Sequence, residues 1–515
     1  MGPLRALAAA FALFSALAVT VTHAAQAPLA DLDTYVHRAM SQWQVPGLAI
    51  AVVKDGHVVV ARGYGVRELG KTDHVDADTL FDIASNTKAF TAAALGTLVS
   101  AGKLQWDDPV AEYVPGFRLD SPYVTAEITL RDLLSHRSGY CDPFAMWYTA
   151  DDTTAKIVAR LQYQQASFGF RAHFCYDNAM YMVASMFVPA VTGETWNRYV
   201  AATLFSPLGM TRTVATAAAV AAASDVARPH GEVDGKVQVI QPYWSNNMDV
   251  FAAVGGINSS VNDMSHWMLM LLAEGRYRGG KVLDPAIVRS METPQSLVQP
   301  DSDLAGWLNT QTPDAQFHAY GLGLFLQDYG AHELVWHAGD IDGMASSLAL
   351  VPDEHLGVVV LSNMSGNRAP EGVMFHVLQS YLGLPRRDVS AAMYTYIQKE
   401  KSQSDAVRRK MAAAGRAGAK APLPLADYVG AYSDPLYGTA RVAQEGGHLV
   451  LRFGNPMFVG DMKPWNGNTF RVRWRYRFYG EAYITFDVDA LGKPVRLSIA
   501  QSPAHYERTP PAGSQ

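Results

Sequence analysis

Ser85-Asn86-Thr87-Lys88 places an amine one helical turn from a hydroxyl. A serine hydroxyl attacks a carbonyl when a neighbouring base takes its proton, and residues three apart share a helix face, so Lys88 is the candidate base. The amine must be neutral to act. Bringing a lysine from about 10.4 to about 7 takes roughly 4 to 5 kcal/mol of differential stabilisation, which a buried, crowded pocket can supply. The chain has a second such spacing, Ser100-Ala101-Gly102-Lys103, and position separates the two. Ser100 follows an apolar helical run and Gly102 sits where a helix C-cap glycine belongs. Ser85 precedes the apolar run 89–95, so its N–H lies near a helix N-terminus, which favours developing negative charge. On spacing alone, chance also accounts for so short a motif.

Two further segments offer partners. Tyr176-Asp177-Asn178 lies just before a helical pattern, and no other tyrosine of the chain is followed two positions later by asparagine. A tyrosine beside a lysine can relay the serine proton, and an asparagine amide can hold a substrate carbonyl. A packed tyrosine followed by a capping asparagine fits the same residues. His337-Ala338-Gly339 ends the strand pattern Leu334-Val335-Trp336. There a glycine lets substrate approach the strand edge, and a strand-edge N–H can serve an oxyanion hole. A lone histidine is more often structural.

These residues need elements to hold them. Residues 31–43 have helical periodicity, and the apolar runs 47–53 and 57–60 flank Lys54-Asp55-Gly56, a strong hairpin signal. Residues 87–315 read as mostly helical. Strand patterns return at 320–325, 333–337, 346–351 and 357–361, and a helix from about Gly372 to Leu382 follows. That order predicts an α+β fold: an antiparallel sheet flanked by helices, with a helical subdomain beside it and a ligand crevice between. Residues 387–423 are charged and Ala/Gly-rich, a partly helical linker. Residues 424–510 alternate between apolar and polar and are broken by Gly447, Gly467 and Gly480, which predicts a small antiparallel β-barrel-like domain.

The 515 residues are enough for more than one domain, and a net charge of −6 without a basic run argues against a nucleic-acid partner. Arg5, the apolar stretch 6–21 and Thr22-His23-Ala24 fit a cleaved secretory signal over residues 1–24. No later uninterrupted apolar run is long enough to span a bilayer, so a periplasmic or secreted protein is expected. An oxidising compartment would permit Cys141 and Cys175 to pair. Free buried thiols fit equally well, and the oligomeric state stays open.

The ordered motifs Ser85/Lys88, Tyr176/Asn178 and His337/Gly339 resemble those of the serine β-lactamase-like superfamily: class C β-lactamases, penicillin-binding DD-peptidases, family VIII esterases and CubicO-type hydrolases. Framework segments extend the resemblance: Val45-Pro46-Gly47-Leu48, Leu133-Leu134-Ser135-His136-Arg137-Ser138-Gly139 and Gly255-Gly256-Ile257-Asn258. It covers residues 28–386, and the tail around Tyr428-Val429-Gly430 is similar to a lipocalin-like β domain. The resemblance implies that Ser85 is acylated, Lys88 and Tyr176 share the proton transfers, and Asn178 helps hold the substrate. It also implies an oxyanion hole of the Ser85 and Asp340 N–H groups, with no metal or organic cofactor.

Two departures bear on substrate. Class C β-lactamases and DD-peptidases typically carry lysine where this chain has His337, and histidine is mostly neutral at pH 7. Asp177 and Asp340 stand where small or neutral residues are familiar, and carboxylates there would repel anionic β-lactams and attract an amine. The expectation is an exported hydrolase of amide, peptide or ester substrates, aminopeptidase-like or esterase-like, with His337 a third proton-transfer candidate. A β-lactamase, a DD-carboxypeptidase and a non-turnover penicillin-binding-like protein are the alternatives.

Overall fold

Asp55 and Gly56 both adopt positive φ, 50° and 78°, the twist a two-residue hairpin needs, and so join β1 (Gly47–Lys54) to β2 (His57–Gly65). The computed structural model describes residues 29–150, 152–241, 248–416 and 418–509; the signal segment expected over 1–24 lies outside the described residues. After β2 the chain leaves the sheet and returns as β3 (Ser296–Leu297), β4 (His318–Tyr320), β5 (Phe325–Tyr329), β6 (His332–Ile341), β7 (Met344–Val351) and β8 (Leu356–Ser362). The eight strands lie in the order β2-β1-β8-β7-β6-β5-β4-β3 with antiparallel neighbours.

Every residue of β7 and β8 is buried, so both faces of the sheet must be covered. α1 (Leu32–Trp43) precedes the sheet, and the excursion between β2 and β3 carries α2 (Thr87–Ser100), α3 (Asn178–Ser185) and α4 (Val261–Leu272). α5 (Ala369–Leu382) follows β8. Period-two alternation sorts the faces. Ala49, Ala51 and Val359 pack with Phe90 of α2 and Trp267 of α4, whereas Ile50, Val52 and Val360 pack with Val36 of α1 and Phe375 of α5. The fold is the expected α+β sheet with a helical region beside it.

The strand expected over 320–325 is in fact two. Gly321 and Gly323 turn the chain between β4 and β5, because the turn presses on neighbouring backbone. A Cβ at Gly321 would lie 2.0 Å from the Met291 carbonyl oxygen, and one at Gly323, where φ is +84°, 2.8 Å from the Lys88 carbonyl oxygen. The turn therefore sits directly against the start of α2.

Beyond α5 the linker is one long helix, α6 (Val389–Ala413), packed against α5. Eight short strands between Gly430 and Arg508 then close into a barrel. Its interior is filled by side chains, among them Tyr432, Phe470, Val472, Phe486 and Tyr506.

Gly339 on β6 pairs with Ser346 on β7, and both meet the turn before α2. An added Cβ would lie 2.4 Å from Ser346 Oγ and 2.5 Å from the Ile83 carbonyl oxygen. Gly339→Ala is expected to destabilise the fold by about 1–3 kcal/mol, measured by urea denaturation. Gly306→Ala, where nothing lies within 4 Å of the new Cβ, is the control and is expected to be neutral or stabilising.

Candidate active site

A single turn of 3-10 helix, Ala84–Asn86, carries Ser85 and leads straight into α2. Ala84 is held at φ 47°, a left-handed conformation that L residues adopt only when the surroundings impose it. The buried Asp82 supplies the hold: its Oδ1 accepts from the Ala84 N–H at 2.8 Å, and burial pushes its carboxyl up to about 8. From the sheet, Ser346 Oγ donates to the Ile83 carbonyl at 2.7 Å and accepts from Asn86 Nδ2 at 2.8 Å. Asn86 and Ser346 thus clamp the turn from both sides. The sequence reading passed over both, and only the position of Asn86 inside the Ser85/Lys88 tetrad signalled it.

Lys88 is completely buried. Its Nζ lies 3.0 Å from Ser85 Oγ, 2.8 Å from Asn178 Oδ1 and 3.1 Å from the Val254 carbonyl oxygen. Burial brings the amine down to about 7, against the pull of Asp142 and Asp177. A neutral amine has two N–H groups and one lone pair. Asn178 and Val254 can take the first two, and the lone pair can accept the Ser85 proton. Tyr176 O–H donates to Ser85 Oγ at 2.9 Å, and burial raises its phenol well above the ordinary tyrosine value, so the phenol keeps its proton at neutral pH.

The Tyr176 segment is braced on every side. Cys141 and Cys175 form a disulfide, which settles the open question of their pairing and staples the chain beside Asp142 to the chain beside Tyr176. The Asp142 N–H donates to the Tyr176 carbonyl at 3.1 Å. The His136 ring packs 4.3 Å from the Tyr176 ring, and its Nδ1 accepts from the Asp177 N–H at 3.1 Å. Burial pushes that histidine well below its ordinary value, so it stays neutral.

Asn178 Nδ2 donates to Asp142 Oδ2 at 2.6 Å while its Oδ1 faces Lys88, so Asp142 fixes which end of the amide meets the amine. Trp147 Nε1 donates to the other Asp142 oxygen at 2.9 Å. The sequence reading did not single out Asp142, which lies 36 residues from Asn178.

Asp177 was expected to bring a carboxylate to the cleft; it does not. It is fully buried and caps α3, its Oδ1 accepting from the Ala179 N–H at 2.8 Å. Asp340 lines the cleft, but Arg368 Nη1 lies 2.6 Å from its Oδ2 and offsets its charge. His337 lies beside the site, its ring 6.3 Å from that of Tyr176, but among the described residues no hydrogen bond joins it to Ser85. Its Nε2 lies 3.0 Å from Tyr320 O–H and its Nδ1 2.6 Å from the Ala338 carbonyl oxygen. Burial and the nearby Lys88 push it down to about 3, so it is neutral, and both ring nitrogens are engaged by these partners. Residues 337–341 of β6 pair with β7 but lie past the end of the pairing with β5, which leaves backbone groups open on the Ser85 side.

Above the serine lies a cavity of about 290 Å³ whose lining includes Ser85, Asn178, Phe144, Trp147, Phe251 and Asp342. Three of these are aromatic. Such a pocket suits an apolar group carried next to a polar reacting centre. Among the described residues, no three His, Cys, Asp or Glu side chains gather as a metal-holding group.

A hydroxyl on a strained turn, a buried neutral amine and a phenol converging on one oxygen, beside an open strand edge, define a serine hydrolase of the β-lactamase and transpeptidase fold. Residues 32–381 match the family model described as Beta-lactamase, and the chain belongs to that family. Residues 414–509 match a domain of unknown function, DUF3471. The chain is 31% identical over 393 residues to unguisins hydrolase ungD of Aspergillus violaceofuscus (strain CBS 115571), covering 72% of this chain and 67% of that protein. It is 26% identical over 348 residues to protein flp of Staphylococcus aureus (strain COL), covering 66% of this chain and 64% of that one. Among solved structures, the octameric penicillin-binding protein homologue from Pyrococcus abyssi shares the fold with a TM-score of 0.60 at 22% identity, over 92% of this chain and 99% of that one. The penicillin binding protein from Bacillus halodurans gives a TM-score of 0.54 at 22% identity, over 68% and 98%.

If Lys88 acts as a neutral base, kcat/KM for an uncharged ester is expected to rise with pH through a limb near 7, as the amine loses its proton. Asp142 favours the protonated amine, so Asp142→Asn is expected to move that limb to lower pH. A pH profile of both proteins checks this, and a limb that stays in place or moves up counts against it.

Proposed function

We propose that this serine hydrolase is an exported enzyme acting through an acyl-enzyme on an amide, peptide or ester substrate, with peptidase-, aminopeptidase- or esterase-like preference. The observation that carries this reading is the convergence of Lys88 Nζ and Tyr176 O–H on Ser85 Oγ at 3.0 and 2.9 Å. In the first step Ser85 Oγ bonds to the carbonyl carbon and its proton passes to Lys88. The carbonyl oxygen takes the negative charge, opposite the N–H groups of Ser85 and Asp340. The C–N or C–O bond then breaks, and the proton returns through Tyr176 to the leaving group. Water repeats the sequence on the acyl-enzyme, frees the acid and restores Ser85. Asn178 lines the cavity, and its Nδ2 carries a second N–H besides the one given to Asp142, which this reading assigns to the substrate carbonyl.

Neutral His337, where β-lactamases and DD-peptidases typically carry lysine, offers no fixed charge for a substrate carboxylate. Its part in this reading is to carry the strand edge, not a proton. A relative named a hydrolase supports turnover over ligand binding alone. The N-terminal apolar segment and the Cys141–Cys175 disulfide support export. Among the described residues no helix is long and apolar enough to cross a membrane.

Labelling with a fluorophosphonate probe tests the nucleophile: the label is expected on the purified protein and absent from Ser85→Ala. Lys88→Met is expected to lower kcat by roughly 10²–10⁴. A panel of D- and L-aminoacyl amides, peptides, p-nitrophenyl esters and nitrocefin then tests the substrate class. Turnover of an ester or amide at least tenfold better than nitrocefin is expected, and the reverse order would mark a β-lactamase. Labelling without turnover of any substrate would mark a trapped acyl receptor.

A further inference from the structure

Asp342 sits at the turn between β6 and β7 and shares the cavity with Ser85. The hydroxyls of Tyr148 and Tyr479 both converge on its Oδ2, Tyr479 at 2.9 Å, and the two hydroxyls lie 3.1 Å apart. Among the described residues no group hydrogen-bonds its Oδ1, and no cation pairs with it. The contrast with Asp340, two positions earlier and paired with Arg368, is sharp: one carboxylate is offset and the other is not.

The surroundings of Asp342 are aromatic. The short helix Phe144–Tyr148 and Phe251 supply rings to the same wall, with Trp147 4.8 Å from Phe251 and Phe144 stacked on Tyr148 at 4.5 Å. A carboxylate with one oxygen held by two hydroxyls and the other open, set among ring faces, is complementary to a protonated amine. The N–H groups have an acceptor, and the rings attract the positive charge.

Tyr479 belongs to the C-terminal barrel, between the strands Thr469–Trp474 and Glu481–Val488. Its ring stacks on Phe458 at 4.4 Å. Asn455, also of the barrel, donates to the carbonyls of Thr149 and Tyr148 through its N–H and Nδ2 at 2.8 and 3.0 Å. The barrel thus grips the end of the aromatic helix and one oxygen of the carboxylate together.

We propose that Asp342 anchors the protonated amine of an aminoacyl substrate, flanked by Phe144, Trp147 and Phe251, and that Tyr479 of the barrel is the positioning residue that aims it. The proposal rests on Ser85 being the acylated nucleophile. The carboxylates first expected to attract an amine, Asp177 and Asp340, give way to a third one that the sequence did not single out.

The test pairs free aminoacyl p-nitroanilides, of both D and L configuration, with their N-acetyl counterparts. The readout is the ratio of kcat/KM between the members of a pair. General damage to the site lowers both members and leaves that ratio alone. The wild-type protein is expected to favour the free amine at least tenfold for one configuration. Asp342→Asn is expected to lower that ratio fivefold or more, mainly through KM, and Tyr479→Phe to lower it at least twofold. A wild-type ratio below ten, or a smaller fall in Asp342→Asn, overturns the proposal. A fall in Asp342→Asn with none of at least twofold in Tyr479→Phe overturns the part given to the barrel. Fluorophosphonate labelling of Ser85 separates the two levels. If Ser85 labels but the ratio criterion fails, or no nitroanilide is turned over, only the amine assignment falls; if Ser85 does not label, the reading beneath it falls as well.

Discussion

Lys88 has no exposed surface, and an amine cut off from water holds a proton only if nearby groups replace the lost solvation. Bringing it from 10.5 down to about 7 corresponds to roughly 5 kcal/mol of preference for the neutral form. The rest of the site is arranged around that dryness. The Gly323 turn closes on the backbone of Lys88 and Ala89, the rings of Tyr176 and Tyr181 pack 4.9 and 5.5 Å from Nζ, and the Val254 carbonyl approaches from the segment before α4. Asp142 and Asp177 pull the other way. With burial alone the amine would be a weaker base; with the carboxylates unopposed it would stay charged. The balance leaves it near neutrality, where a base both accepts and returns a proton readily.

That constraint explains why so many glycines and small polar groups gather where the sheet meets α2. Ser85 must stand at a turn, yet Lys88 must be buried one helical turn later. The chain satisfies both by placing the turn under the edge of β6 and β7. Only a glycine at 339 lets the strand come that close, and only then can the Ser346 hydroxyl reach the Ile83 carbonyl. Positive φ at Ala84 is then enforced by contacts from Asp82 and β7 rather than by local preference.

Much of this was legible in the chain because it is local. The Ser85/Lys88 spacing depends only on helical geometry, and the Asp55-Gly56 hairpin depends only on its turn. The short apolar, β-branched runs within 346–351 and 357–361 mark strands whichever neighbours they find. What was not legible depends on pairings far apart in sequence. Ser346 meets Asn86 across 260 residues and Tyr479 meets Asp342 across 137, and no periodicity announces either. The free charges expected of Asp177 and Asp340 fail for a related reason. Adjacency to a site residue does not say where a carboxylate points, and helix capping claims the first while Arg368 claims the second. The 320–325 run was read as one strand because its apolar alternation is right; the close backbone of Met291 and Lys88 breaks it.

The electrostatics of the cleft follow from the same geometry. The strand position that could carry a fixed positive charge holds His337, which burial and the nearby Lys88 keep neutral. Restoring a charge there would place a second cation in the field of Lys88 and push the amine further toward its neutral form. Without the cation, a carboxylate near the base is needed less to offset repulsion than to orient the Asn178 amide, which Asp142 does through a 2.6 Å hydrogen bond. Asp342 at the cleft has no cation partner among the described residues, burial raises its carboxyl above the ordinary value, and its hydroxyl partners come from both the catalytic domain and the barrel. In the proposed reading a substrate's amine meets Asp342 and its carbonyl meets Ser85, both on the catalytic domain, while Tyr479 of the barrel holds the carboxylate in place.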